Sequence, residues 1–168
     1  MSNKVKSSRD SRTTSTARLA AVQGLYEIEL TGAQLDYILF DFLGRRWTVQ
    51  NDIDAVGQAE KNERLADPDK KKFSEVVRGV LANKADIDKM IEGALSENST
   101  LEKLDVIMRS ILRAGTFELF HLPAVPVKVI INEYVDLAHA FYSEKEPGFV
   151  NGILDRLAKV IRQQELGN

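Results

Sequence analysis

Two prolines in the last third of the chain, Pro126 and Pro147, constrain its fold more than any other feature. Each sits where a helix would begin, and there a proline costs nothing, because a first-turn amide has no intrahelical partner to lose. Between them Val127, Ile130, Ile131, Tyr134, Leu137, Ala138 and Phe141 recur at steps of three and four, which gathers them on one face of an amphipathic helix. Lys128, Asn132, Asp136 and His139 fall on the other face. The second proline opens a helix with an apolar stripe of Val150, Ile153, Leu154, Leu157, Val160 and Ile161, and it puts a large aromatic, Phe149, in the first turn beside Gly148 and Asn151. An aromatic in that place is either core or contact surface.

The same periodicity runs through most of the chain. Ala17 to Leu30 reads as a helix ended by Thr31 and Gly32, and about Ala33 to Arg45 as a second, apolar around much of its circumference. Residues 46–66 carry Trp47, Val49, Ile53, Val56 and Leu65 among many polar positions and read as a weak helix or irregular connection. Asp67 and Pro68 supply a cap and a first-turn proline for a helix through Phe73, Val76, Val77, Val80 and Leu81, and Ala85 to Leu95 continues after a bend at Asn83 and Lys84. Ser99 with Glu102 three residues later fits a capping box and predicts the longest helix, ending near Phe120, with a core stripe of Leu101, Leu104, Met108, Ile111, Leu112, Gly115 and Leu119. No strand-like alternation is present. The expected fold is all-α, a single compact domain of about seven helices over residues 17–165.

At 168 residues and 43% hydrophobic content the chain suffices for one ordinary core. Its net charge of -2 conceals an uneven distribution: residues 1–18 hold Lys4, Lys6, Arg9, Arg12 and Arg18 against Asp10 alone, so this end is +4 and the remainder -6. A Ser- and Thr-rich cationic tail buries too little surface to order itself, so residues 1–16 are expected to form a flexible basic arm that either binds polyphosphate or only solubilises the chain. With no cysteine, no disulfide framework or thiolate metal site is available. The N-terminus has no apolar stretch behind its charges, and no segment approaches the roughly 20 apolar residues of a membrane span, so a cytoplasmic location is expected, with no membrane partner.

Candidates for chemistry are few. Arg109 and Arg113 stand four residues apart on the long helix, a shared face that is either solvated surface or, with Tyr26 and Phe149 packed beside it, a set of cations flanked by stacking rings that suits single-stranded RNA. Gly148 and Asn151 serve a turn or a close contact equally well. His121 and His139 are the only imidazoles and lie in no ligand-spaced motif, and no glycine-rich phosphate loop is present; neither a metal, a cofactor nor a catalytic residue is expected.

Four stretches resemble the NusB family: Ala17 to Tyr26, similar to its ARxxAVQALY opening; Ile111 to Leu119, similar to ILRLGAYEL; Val125 to Glu133, matching VPxKVxINE; and Phe149 to Asp155, matching FVNGxLD. The resemblance implies an all-helical, non-enzymatic transcription antitermination factor. Such a factor binds boxA-type RNA of nascent transcripts, notably rRNA, with the ribosomal protein NusE, and acts in an RNA polymerase antitermination complex. Carried over by position, it implies RNA contacts at Arg18, Tyr26, Arg113 and Phe149, to which the residues add Arg12 and Arg109 as cations, with Met108, Lys145, Gly148 and Asn151 as further RNA or partner contacts. Thr13 to Thr16 replace an arginine run common in the family, and Met108 and Lys145 stand where acids are frequent. Two other classes compete. Some rRNA cytosine methyltransferases begin with a NusB-like domain, but they need a following cofactor domain and catalytic cysteines that this chain does not supply; a helical module that binds protein alone would make the cations incidental.

Overall fold

The computed structural model describes residues 2–46 and 68–166, with the side chains of 10–44 and 68–166. Among them are eight α-helices and no strand. The expected connection at 46–66 and the Asp67 cap fall almost entirely outside the described residues. The chain divides into two compact units, residues 1–75 and 76–168.

In the first unit, α1 runs Ser2–Thr31 and α2 Leu35–Phe40, the latter passing into a π-helical turn at Asp41–Arg46. The helix predicted from Ala17 therefore begins fifteen residues earlier. Its hydroxyl-rich stretch stays helical because each hydroxyl bonds back to the preceding turn: Thr13 and Thr14 to the Asp10 carbonyl at 2.9 Å, Ser15 to Ser11 at 3.0 Å and Thr16 to Arg12 at 3.0 Å. Gly32, with φ of 70°, ends α1 in the left-handed conformation that a side chain would resist. The core gathers Ala17, Ala20, Ala21, Val22 and Leu25 of α1 with Ile38, Leu39, Phe42 and Phe73. Phe42 and Phe73 stack with centroids 5.4 Å apart.

Phe73 belongs to α3, Lys70–Ala82, which begins in the first unit and continues in the second. Its cap is Asp69, whose carboxylate accepts from the Lys72 amide at 3.0 Å, so Pro68 lies ahead of the cap and not in the first turn as predicted.

The second unit continues with α4, Lys84–Ala94; α5, Val106–His121; α6, Val127–Phe141; α7, Glu146–Ile161; and the short α8, Gln163–Leu166. The predicted capping box does not form. Thr100 precedes a single 3-10 turn at Leu101–Lys103, and α5 starts only after Asp105, whose carboxylate accepts from the Met108 amide at 2.9 Å. At 16 residues α5 is shorter than the 30 of α1, so it is not the longest helix. Burial and the Asp105 carboxylate push the Tyr142 hydroxyl well above its ordinary range, and the two bond at 2.6 Å, tying the end of α6 to the start of α5.

The stripes predicted for α6 and α7 form the core, each such side chain contributing about 1.5 to 3 kcal/mol on full burial. Three members depart: Phe141 is 37% exposed, Val160 73%, and Ile161 is only half-buried. Gly79 gives α3 its close approach to α5, since a Cβ there would run into the Phe117 ring. Glu118 is fully buried, with its carboxylate accepting from the Tyr134 hydroxyl at 2.5 Å. Arg162 spends its guanidinium on main-chain carbonyls at the end of α5, those of Leu119 at 2.7 Å, Leu122 at 2.7 Å and Glu118 at 3.1 Å, and on Val125 at 2.6 Å.

Candidate nucleic-acid interface

The candidate residues divide between the two units. In the first, Arg12 is exposed on α1 and Tyr26 half-buried. Fourteen residues of helix turn through nearly four full turns, so the two lie within about 40° on one side of α1 and about 21 Å apart along it. Arg18 differs: it sits mid-helix, 4% exposed, and not in a first turn. Its apolar neighbours Ala17, Ala20 and Ala21 are buried with it, so it belongs to the inward side of the helix.

In the second unit the shared face of Arg109 and Arg113 does not present two free cations. Arg113 is 7% exposed and paired with Asp88 of α4 through both edges of the guanidinium, Nε to Oδ1 at 2.7 Å and Nη2 to Oδ2 at 3.1 Å. Asp88 also accepts from Lys84 Nζ at 3.2 Å. The sequence leaves the Arg109 and Arg113 face either solvated or RNA-binding; the structure instead buries Arg113 in an ion pair, and the reason is that α4 packs on α5 with its carboxylate at the guanidinium's height. Arg109 turns the other way. Its Nη1 donates to the carbonyls of Leu104 and, at 3.3 Å, Glu102, fastening the 3-10 turn to α5. Met108 is 3% exposed, so its place in the core stripe holds and it presents no contact surface.

The start of α7 is more open. Lys145, Gly148 and Asn151 are exposed and Phe149 is half-buried. Around the helix Phe149 lies beyond Ile153 at the edge of the buried stripe, which accords with its partial exposure. A Cβ on Gly148 or Gly152 would meet nothing within 4 Å, so nothing within the described chain requires glycine at either. This arrangement offers a ring face, a cation and an amide side chain next to bare helix backbone, the elements from which single-stranded nucleic acid is held.

Two residues that shape the site are not evident from the sequence. Asp88 lies 25 positions from Arg113, and no local pattern announces such a pairing. Asp105 has a signal, an N-cap residue immediately before the apolar run Val106 to Met108, but the Ser99 and Glu102 pattern competes with it.

The model of the NusB family matches residues 15–159. The chain belongs to the NusB family. Similar proteins include the transcription antitermination protein NusB of Caulobacter vibrioides, 43% identical over 148 residues that span 88% of this chain and 93% of that one, and its counterpart in Sinorhizobium fredii, 42% identical over 146 residues spanning 87% and 86%. Among solved structures, NusB of T. maritima superposes with a TM-score of 0.68 at 28% identity, covering 92% of this chain and 96% of that one. A crystal structure of antitermination factors NusB and NusE in complex with double-stranded RNA gives 0.64 at 23% identity, covering 87% and 96%, a likeness of fold. The NusB match includes Arg18, Tyr26, Arg113 and Phe149 but leaves out Arg12 and most of the basic arm. Like its NusB relatives, then, the chain is a transcription antitermination protein, with helices and no strand among its described residues. No helix among the described residues is long and apolar enough to cross a membrane, and no cluster of three metal-ligating side chains occurs among them.

Proposed function

We propose that this protein binds boxA-type RNA of nascent transcripts, rRNA above all, together with the ribosomal protein NusE, and so helps RNA polymerase resist termination. It acts as a non-enzymatic adaptor in the cytoplasm. The observation that carries the reading is the start of α7, where the FVNGxLD motif sets Phe149 at the rim of the core with Lys145, Gly148 and Asn151 exposed around it. On the first unit Arg12 and Tyr26 supply a further cation and ring on one side of α1. Arg18, Arg109 and Arg113 support these surfaces from within, because their guanidinium groups are buried or bonded inside the chain.

The test is a titration of labelled boxA-like RNA against the full chain, with and without NusE, at two salt concentrations. Weak binding by the chain alone, tightened by NusE and weakened by salt, is the expected result. Equal affinity for a scrambled RNA in the presence of NusE would sink it.

A further inference from the structure

A groove of about 280 Å³ runs between α4 and α7 on the second unit, well away in sequence from the α7 start. Its lining is aliphatic, with Met90, Leu157 and Ile161 along it and Val160, 73% exposed, as its outer lip. The only charged groups that line it are basic. Among the described residues neither cation meets a carboxylate: Lys89 is exposed, and Arg156 donates from Nη1 to the Ala94 carbonyl at 2.9 Å. Gly93 forms part of the wall, and a Cβ there would meet nothing within 4 Å. Gly93 stands in the last turn of α4, and nothing in the packing of the described residues requires a glycine there.

We propose that this groove docks an acidic amphipathic helix of a protein partner, its apolar side chains seated on Met90, Leu157 and Ile161 and its carboxylates paired with Lys89 and Arg156. Charge complementarity selects the occupant: two unpaired cations on an apolar bed favour a ligand that is apolar on one side and anionic at the flanks. RNA fits less well, since bases are held on aromatic faces and no aromatic lines the groove. The volume suits one or two aliphatic side chains, which is the anchor a short helix inserts. Because Val160 lies beyond residue 159, where the family match ends, the outer lip falls outside the shared span.

The test uses the full chain and two synthetic helical peptides of about four turns, each with leucines at i, i+3, i+4 and i+7, one flanked by glutamates and the other by lysines at the same places. Fluorescence anisotropy should show the glutamate peptide binding at least about tenfold more tightly, with the preference shrinking as salt rises. Val160→Asp and Gly93→Ala should each weaken it by about tenfold or more without lowering the melting temperature, since Val160 is exposed and Gly93 has room for a methyl. Lys89→Glu should narrow the gap between the peptides. Equal binding of both peptides, or binding indifferent to Val160→Asp, overturns the proposal. So does self-association of the chain that Val160→Asp abolishes, which would assign the groove to a second copy, or displacement of the peptide by single-stranded RNA, which would assign it to nucleic acid.

Discussion

Arg162 and Glu165, bonded to each other at 3.1 Å, close the two ends of one connection: the guanidinium takes the carbonyls at the end of α5, and the carboxylate accepts from the Val127 amide that opens α6 at 2.8 Å. The junction of α7 and α8 thereby caps both helices flanking Pro123 and Pro126. Arg162→Ala takes the side-chain donor from the Leu119 and Val125 carbonyls, while those of Glu118 and Leu122 keep backbone donors, and should destabilise the chain by about 2 to 4 kcal/mol in urea unfolding, with Arg162→Lys recovering only part because an ammonium cannot span the fork.

The Val127 amide, and after it the Arg162 side chain, hold the Glu165 carboxyl below the usual glutamate value of 4.5. A depressed folded-state value contributes stability above the unfolded one, and the contribution is lost as pH falls through the folded one. The stability gap between the native chain and Glu165→Gln should therefore be constant near neutrality and close as pH drops below about 4.5. A gap that persists unchanged through acid would separate Glu165 from this role.

Arg113→Ala should reduce stability by roughly 2 to 4 kcal/mol, somewhat under the range for a fully buried pair because the Asp88 side chain is 22% exposed. Asp88→Asn should cost a similar amount, and a double-mutant cycle should return a coupling well above about 0.5 kcal/mol, the level of independent sites. Independent, additive losses would place Arg113 outside the pair in solution.

Phe149→Ala is expected to cost less than the roughly 3 to 5 kcal/mol of a fully buried phenylalanine, since the ring is only half-buried. The same change should weaken RNA binding in the presence of NusE by on the order of 1 to 3 kcal/mol if a base stacks on the ring. Thermal unfolding and RNA titration on this one variant separate the two roles: a large fall in melting temperature with binding intact marks the ring as core.

Removing residues 2–16 should flatten the dependence of RNA affinity on salt, by a little under one unit of log-log slope for each phosphate that the arm neutralises. Arg12→Ala should account for about one phosphate of that change. An unaltered slope would take the arm out of the interface.

The helical class, the inward stripes of α6 and α7 and the ambiguous edge position of Phe149 were legible because period and proline placement are local properties of the chain. Helix starts were less so. Ser99 and Glu102 carry the capping pattern, yet Asp105 caps α5, since Leu101 is drawn into the core and bends the chain into a 3-10 turn first. Val160 fits the stripe of α7 by spacing but falls where no helix of the described residues covers it. Arginine roles were the least legible: Arg109, Arg113 and Arg162 look alike in sequence, and only the carbonyls and carboxylate that folding brings to them tell them apart.

The hydroxyls of Thr13 to Thr16, each turned back onto its own helix, fix the reach of the basic arm. Wound as helix, the fifteen residues from Ser2 to Thr16 extend about 22 Å; drawn out, the same residues could span about 50 Å. The arm's backbone is thus a short rod rather than a long tether, rising about 5.4 Å with every turn, and if it binds RNA as proposed, helical pitch sets the length it follows.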